Sequence, residues 1–187
     1  VCTMVSNVFG YLLPVQEIAE LCAAAGVPLI VDASQAAGCV AFDAAALGAA
    51  FVAMPGHKGL LGPQGTGILL CFAQPKPLLC GGTGSQSVLQ DMPVELPDRL
   101  EAGTHNVPGI AGLLAGIRYL SAQGVEHIER RERWLAQRLT AQLRLENPEA
   151  SLSALGRMFS PPVNRATLNY RLKKIVELSA GLCGEEG

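Results

Sequence analysis

FVAMPGHKGLLGPQGTGILLCF (51–72) is the stretch that decides the fold. Two apolar runs, Phe51–Met54 and Gly67–Phe72, enclose a loop rich in glycine that carries His57 and Lys58. Short apolar runs bounded by glycine and proline read as buried strands. Upstream, Pro28–Val31 (PLIV) is another such run, ending at Asp32, and Val1–Ser6 is a further one. Between these two, Pro14 opens a helix to about Ala25, with Ile18, Leu21 and Cys22 at helical spacing and Gly26 as its stop. Strands that are apolar throughout and alternate with helices predict an α/β architecture, with a mostly parallel sheet covered by helices.

Downstream, residues 73–107 are rich in glycine and proline, with CGGTGSQS followed by MPVELPDRLEAGTHN. A structured loop of this length in a compact domain points to function. Helices are predicted at roughly 108–122 and 126–145. Glu146-Asn147-Pro148 then breaks the pattern, and Ser151 can cap a short helix to Phe159. Ser160-Pro161-Pro162 makes a turn, and Asn164 can cap a last helix to about Ala180.

Composition narrows the class. Hydrophobic residues are 49% of the 187 and charged ones 16%, which predicts a large buried core and argues against disorder. No apolar stretch reaches the ~18–20 residues of a membrane helix, so no membrane role is expected. VCTMVSNVFG has no basic segment ahead of an apolar run, so no signal peptide is expected. It also lacks an initiator Met, so the chain is expected to begin inside a longer reading frame. Cys2, Cys22, Cys39, Cys71, Cys80 and Cys183 form no C-x-x-C pair; scattered thiols suit a reducing cytoplasm rather than a disulfide framework. Zinc is disfavoured, because His57, His105 and His127 have no Cys or His at ligand spacing. Charge separates the two ends: residues 1–143 carry 8 basic and 11 acidic groups (−3), whereas 144–187 carry 6 and 5 (+1).

The chemistry-bearing residues are Asp32 and Gln35 in VDASQAAG (31–38) and the pair His57-Lys58. Pyridoxal phosphate needs a lysine for its aldehyde and a carboxylate at the pyridinium nitrogen. It also needs a polar group at the ring hydroxyl and N–H or hydroxyl donors for the phosphate. Asp32 ends a strand, where α/β enzymes place ligands. Gly56 and Gly59 beside Lys58 let the backbone approach a cofactor. Singly, each feature has a plainer reading: Asp32 as a turn residue, Lys58 as a solvated side chain, GPQGTG as a weak phosphate pattern. No G-x-x-x-x-G-K-[ST] loop is present. Their joint order is what resists a reading by accident.

On SNVFG (6–10), VDASQAAG, GHKGLLGPQGTG, GGTGSQS (81–87) and LPDRLEAGTHNVPGIAGL (96–113), the stretch 1–143 resembles the class V aminotransferases among fold-type I pyridoxal-phosphate enzymes, close to cysteine desulfurases and selenocysteine lyases. The resemblance implies an incomplete large domain over 1–143 with Lys58 as the Schiff-base lysine and Asp32 as the pyridinium partner. It places Gln35 at the ring hydroxyl, His57 near the phosphate and Asn7 near cofactor or substrate. Thr104, in EAGTHN, resembles a residue that reaches the neighbouring subunit's phosphate, which implies a homodimer; read alone, it is a loop hydroxyl ahead of a helix. Many relatives carry Ser or Thr two or three residues before the lysine, where Pro55 and Gly56 stand here. The family's N-terminal phosphate turn and ring-stacking residue, its substrate-carboxylate Arg and the desulfurases' mobile-loop Cys have no counterpart motif.

The segment 143–182 instead resembles the C-terminal helix-turn-helix of WhiA-type sporulation regulators, giving a small all-α module over 144–187. Leu152, Leu155 and Phe159 form one apolar stripe and Leu168, Leu172, Ile175 and Val176 another. Asn164, Arg165, Thr167 and Asn169 are the base-edge candidates, with Arg171, Lys173 and Lys174 for phosphates. The plainer alternative is a solvated basic helix face.

Three functions follow as expectations. The first is a desulfurase-like framework for C–S or C–Se lyase chemistry on an amino acid, not competent as this chain alone. The others are a DNA-binding regulator and a chimeric gene product without integrated function.

Overall fold

Four strands form one sheet in the order β1-β2-β3-β4: β1 is Cys2–Thr3, β2 Ile30–Asp32, β3 Phe51–Pro55 and β4 Gly67–Cys71. The computed structural model describes residues 1–84, 86, 88–159, 162–166 and 168–169. β1 pairs with β2 and β2 with β3 in parallel, while β4 returns antiparallel along β3. The α/β, mostly parallel expectation therefore holds.

Helix α1, Val15–Ala24, connects β1 to β2. It stops at Gly26, whose φ of 66° takes the left-handed turn that side-chain-bearing residues resist. Helix α2, Val107–Gln123, is capped by Asn106, whose side-chain oxygen accepts the Gly109 N–H at 3.1 Å. Gly124 separates it from α3, Val125–Glu146.

Register explains the core. Val31 pairs with Val52 and Val52 with Leu70, so these side chains share one face. Val31 and Val52 are fully buried there, in one cluster with Val15 and Ala19 of α1 and Leu113 and Leu120 of α2. The alternate row, Ile30, Phe51 and Cys71, lies on the opposite face. On that side Ile30 is 37% and Leu69 48% exposed. The expected helical cover is thus seen on one face. Among the described residues one face carries the helices, and an apolar run by itself does not show how many faces are covered.

The C-terminal part has buried leucines of its own. α4, Leu152–Arg157, is capped as expected by Ser151, whose hydroxyl accepts the Ala154 N–H at 3.2 Å. Val163 N–H bonds to Gly156 C=O at 2.7 Å, and Leu155 and Leu168 are each 1% exposed. α3 is continuous through Leu143, the expected boundary. Leu155→Ala should cost about 2–5 kcal/mol, the range for emptying a well-packed leucine site. Urea unfolding reads it, and a loss under ~1 kcal/mol would mean this leucine is not held as the structure shows it.

Candidate functional site

Asp32 pairs with Ala53, so β2 and β3 end together, and Pro55 pairs with Gly67 at the start of β4. The loop 56–66 therefore sits at the C-terminal end of the parallel strands, beside Asp32, where ligands bind in such sheets. Sheet topology, rather than sequence proximity, gathers these groups.

Asp32 is half-buried, and its Oδ1 accepts the Ser34 N–H at 2.9 Å. Its second oxygen has no protein partner among the described residues. The backbone then turns tightly, with Ala36 and Ala37 N–H both on Ala33 C=O, and presents Gln35. Gln35 Nε2 donates to Asn7 Oδ1 at 2.7 Å, across 28 residues of sequence. Asn7 rides a loop closed by Ser6 N–H to Tyr11 C=O at 2.9 Å and Gly10 N–H to Ser6 C=O at 2.8 Å. The structure thus brings Asn7 and Gln35 together.

His57 and Lys58 are exposed side chains on a constrained backbone. Leu61 N–H bonds to Lys58 C=O at 2.9 Å, Gly62 N–H to Gly56 C=O at 2.7 Å, and Gly56 N–H to Thr66 C=O at 2.8 Å. Leu61 holds a φ of 58°, a left-handed conformation unfavourable for a branched side chain. Lys58 therefore projects from a fixed base.

Thr104 is exposed and makes no hydrogen bond to Asp32, Gln35 or Lys58 among the described residues. Its flanks are tied: Gly103 N–H bonds to Gly82 C=O at 2.7 Å, and His105 Nδ1 lies 2.7 Å from Glu101 Oε2.

Sequence reasoning missed two residues that hold the acid-bearing loop from behind. Glu129 Oε2 accepts the Ala41 N–H at 3.0 Å, and Glu132 stands near enough to the Cys39 thiol to act on it electrostatically. Neither contact has a sequence signature, since the partners lie about 90 residues apart and one is a backbone amide. Burial, then the Glu132 charge and hydrogen bond, push the Cys39 thiol above its ordinary pKa. Raising a thiol's pKa lowers its thiolate fraction at any pH below it. Cys39 should thus alkylate with iodoacetamide at pH 8 at least ~tenfold more slowly than exposed Cys80. Equal rates by peptide mass would contradict the Glu132 contact.

The DNA-contact expectations fare differently. Asn164, Arg165 and Asn169 are exposed, but Asn164 Oδ1 accepts the Tyr11 hydroxyl at 3.3 Å. The amide oxygen thus meets the N-terminal loop. Thr167, Arg171, Lys173 and Lys174 lie outside the described residues, as does most of the expected last helix. No helix among the described residues is long and apolar enough to cross a membrane.

Comparison with known proteins accounts for this arrangement. Residues 1–156 match the family model described as aminotransferase class-V, extending beyond the boundary expected at 143. A probable cysteine desulfurase of Methanothermobacter thermautotrophicus is 32% identical over an alignment covering 99% of this chain and 48% of its own length. One from Pyrococcus abyssi is 38% identical, over 73% of this chain and 35% of its own. The chain thus spans at most about half the length of these curated relatives. The apo cysteine desulfurase of Thermococcus onnurineus superposes with a TM-score of 0.67 at 36% identity, covering 78% of this chain and 38% of that one. A cysteine desulfurase of Escherichia coli gives 0.63 at 25% identity, over 80% and 38%. The first alignment takes in the C-terminal segment as well, so that part too is matched to a desulfurase, and the comparisons bring no support for a WhiA-type module or a DNA partner. The family's cofactor is pyridoxal phosphate. A matching family model over most of the chain, and the same fold in solved desulfurases, show that the chain belongs to the class-V aminotransferases.

Proposed function

We propose that this chain supplies the lysine-bearing half of a cysteine desulfurase-like site. The observation that carries the reading is the placement of Asp32 and Lys58 at the ends of adjacent parallel strands. The residues present fit the ring of pyridoxal phosphate. Asp32 offers a half-buried carboxylate with one oxygen unused by protein among the described residues, and Gln35 and Asn7 form a linked amide pair beside it. They fit the phosphate less well: Pro55 and Gly56 offer no hydroxyl, and the Thr66 hydroxyl already donates to Pro63 C=O at 2.7 Å. Lys58 would hold the cofactor covalently, Asp32 its ring nitrogen, and Gln35 its ring hydroxyl. His57 would lie near the phosphate, Asn7 near cofactor or substrate, and Thr104 would reach across a homodimer to the other subunit's phosphate.

When bound, the cofactor supplies an electron sink for bonds at an amino acid's α-carbon. Asp32 stabilises positive charge at the ring nitrogen, and Lys58 Nζ takes and returns the proton at that carbon. The substrate is a sulfur- or selenium-bearing amino acid. Because the chain spans about half its relatives' length, the 187-residue chain should capture the cofactor at Lys58 without turning over L-cysteine. Sulfide release assayed with and without pyridoxal phosphate tests this. Sulfide production by the chain alone would overturn the claim that it supplies only part of a site.

A further inference from the structure

We propose that Gly38 and Gly59 are positioning residues, a mutual backbone contact that sets the lysine loop against the loop carrying Asp32 and Gln35. A Cβ at Gly38 would stand 2.1 Å from Gly59 O and 2.5 Å from its carbonyl carbon. A Cβ at Gly59 would stand 2.2 Å from Ala37 O and 2.8 Å from Cys39 Sγ. Each glycine therefore touches the other loop's main chain, which cannot swing aside as a side-chain end can. The contact falls three residues beyond Gln35 in one loop and immediately after Lys58 in the other.

The far side of the lysine loop is held as tightly. A Cβ at Gly116 of α2 would lie 2.4 Å from Leu60 O, and one at Gly62 would lie 2.8 Å from Leu113 Cδ1. The loop is clamped between the acid-bearing loop and α2, and its internal backbone hydrogen bonds close it between those jaws. A site that must present an amine to one end of a flat ring and a carboxylate to another gains from fixing the two supports together. The purpose assigned to the contact rests on the proposed roles of Asp32, Gln35 and Lys58; the contact itself does not.

The test needs no turnover. Trypsin cuts after Lys58, and Gly38→Ala leaves the cut sequence unchanged while forcing the loops apart. Cleavage after Lys58 should rise at least ~tenfold in Gly38→Ala, with cleavage after Arg99 unchanged within about twofold. Gly48→Ala is the control: its φ of 69° brings the same backbone strain, but nothing lies within 4 Å of the added carbon. It should leave both sites unchanged. In Gly59→Ala, pyridoxal phosphate capture at Lys58, trapped with borohydride, should fall about tenfold relative to acetylation of Lys58 by acetic anhydride, which needs no second group. Unchanged cleavage, or equal acceleration at Arg99, overturns the proposal. If Gly38→Ala does not fold, amide exchange of the unaltered chain decides: Leu61 and Gly62 should exchange as slowly as Val52, and free-loop rates would overturn the clamp. A clamp that stands while Lys58 captures no cofactor would defeat the site assignment alone.

Discussion

Lys58→Ala should remove covalent capture of pyridoxal phosphate by at least ~100-fold, because no other described amine leaves the C-terminal end of this sheet. The measurement is borohydride reduction followed by peptide mass. In the unaltered chain the adduct should sit on the peptide containing Lys58. Lys76 is the internal control, being also exposed but on the loop after β4. Lys58 differs from it in having a backbone fixed by hydrogen bonds through Gly56, Gly62 and Thr66, so its amine is offered from one direction. Adduct that persists in Lys58→Ala, or divides evenly between Lys58 and Lys76, would sink the assignment.

Asp32→Asn is the second large effect. Asparagine retains an oxygen for the Ser34 N–H, so the turn leading to Gln35 should survive, while the charge proposed to face the ring nitrogen is lost. In the polypeptide at its relatives' length, sulfide release from L-cysteine should fall about 10²–10³-fold, the size associated with removing one preorganised electrostatic partner. Melting temperature should change little, since a half-exposed carboxylate with one backbone partner contributes modestly to stability. Activity within about threefold of the unaltered protein would show that Asp32 is not the ring's partner.

The sequence made the ends of the strands legible because each is marked twice, by the close of an apolar run and by a chemistry-bearing residue. Asp32 and Lys58 stand out this way as candidates, and the Ser151 cap was legible by the simple rule of a hydroxyl ahead of a short helix. The Asn7–Gln35 bond is different. Both residues were nominated, but their contact depends on the crossover that lays β1 beside β2, which no local pattern encodes. Glu129 and Glu132 were invisible for a related reason. On a long polar helix, acids read as a solvated face until the loop they grip is placed against them. The C-terminal segment is less legible from local pattern, and the comparisons bring no support for a WhiA-type module there. Apolar stripes around a proline turn suit a detached helical module, yet they equally suit short helices in which Leu155 and Leu168 are simply buried.

The sheet's thinly covered face carries a physical liability. Ile30 and Leu69 lie on it in rows with Phe51 and Ala53, and β1 and β4 end the sheet with main-chain groups that no described strand pairs. Such a margin is a template for another strand, and an apolar plane beside it rewards the encounter with buried area. In free solution this chain is therefore suited to self-association, its colloidal behaviour set by concentration and by whatever occupies that plane first.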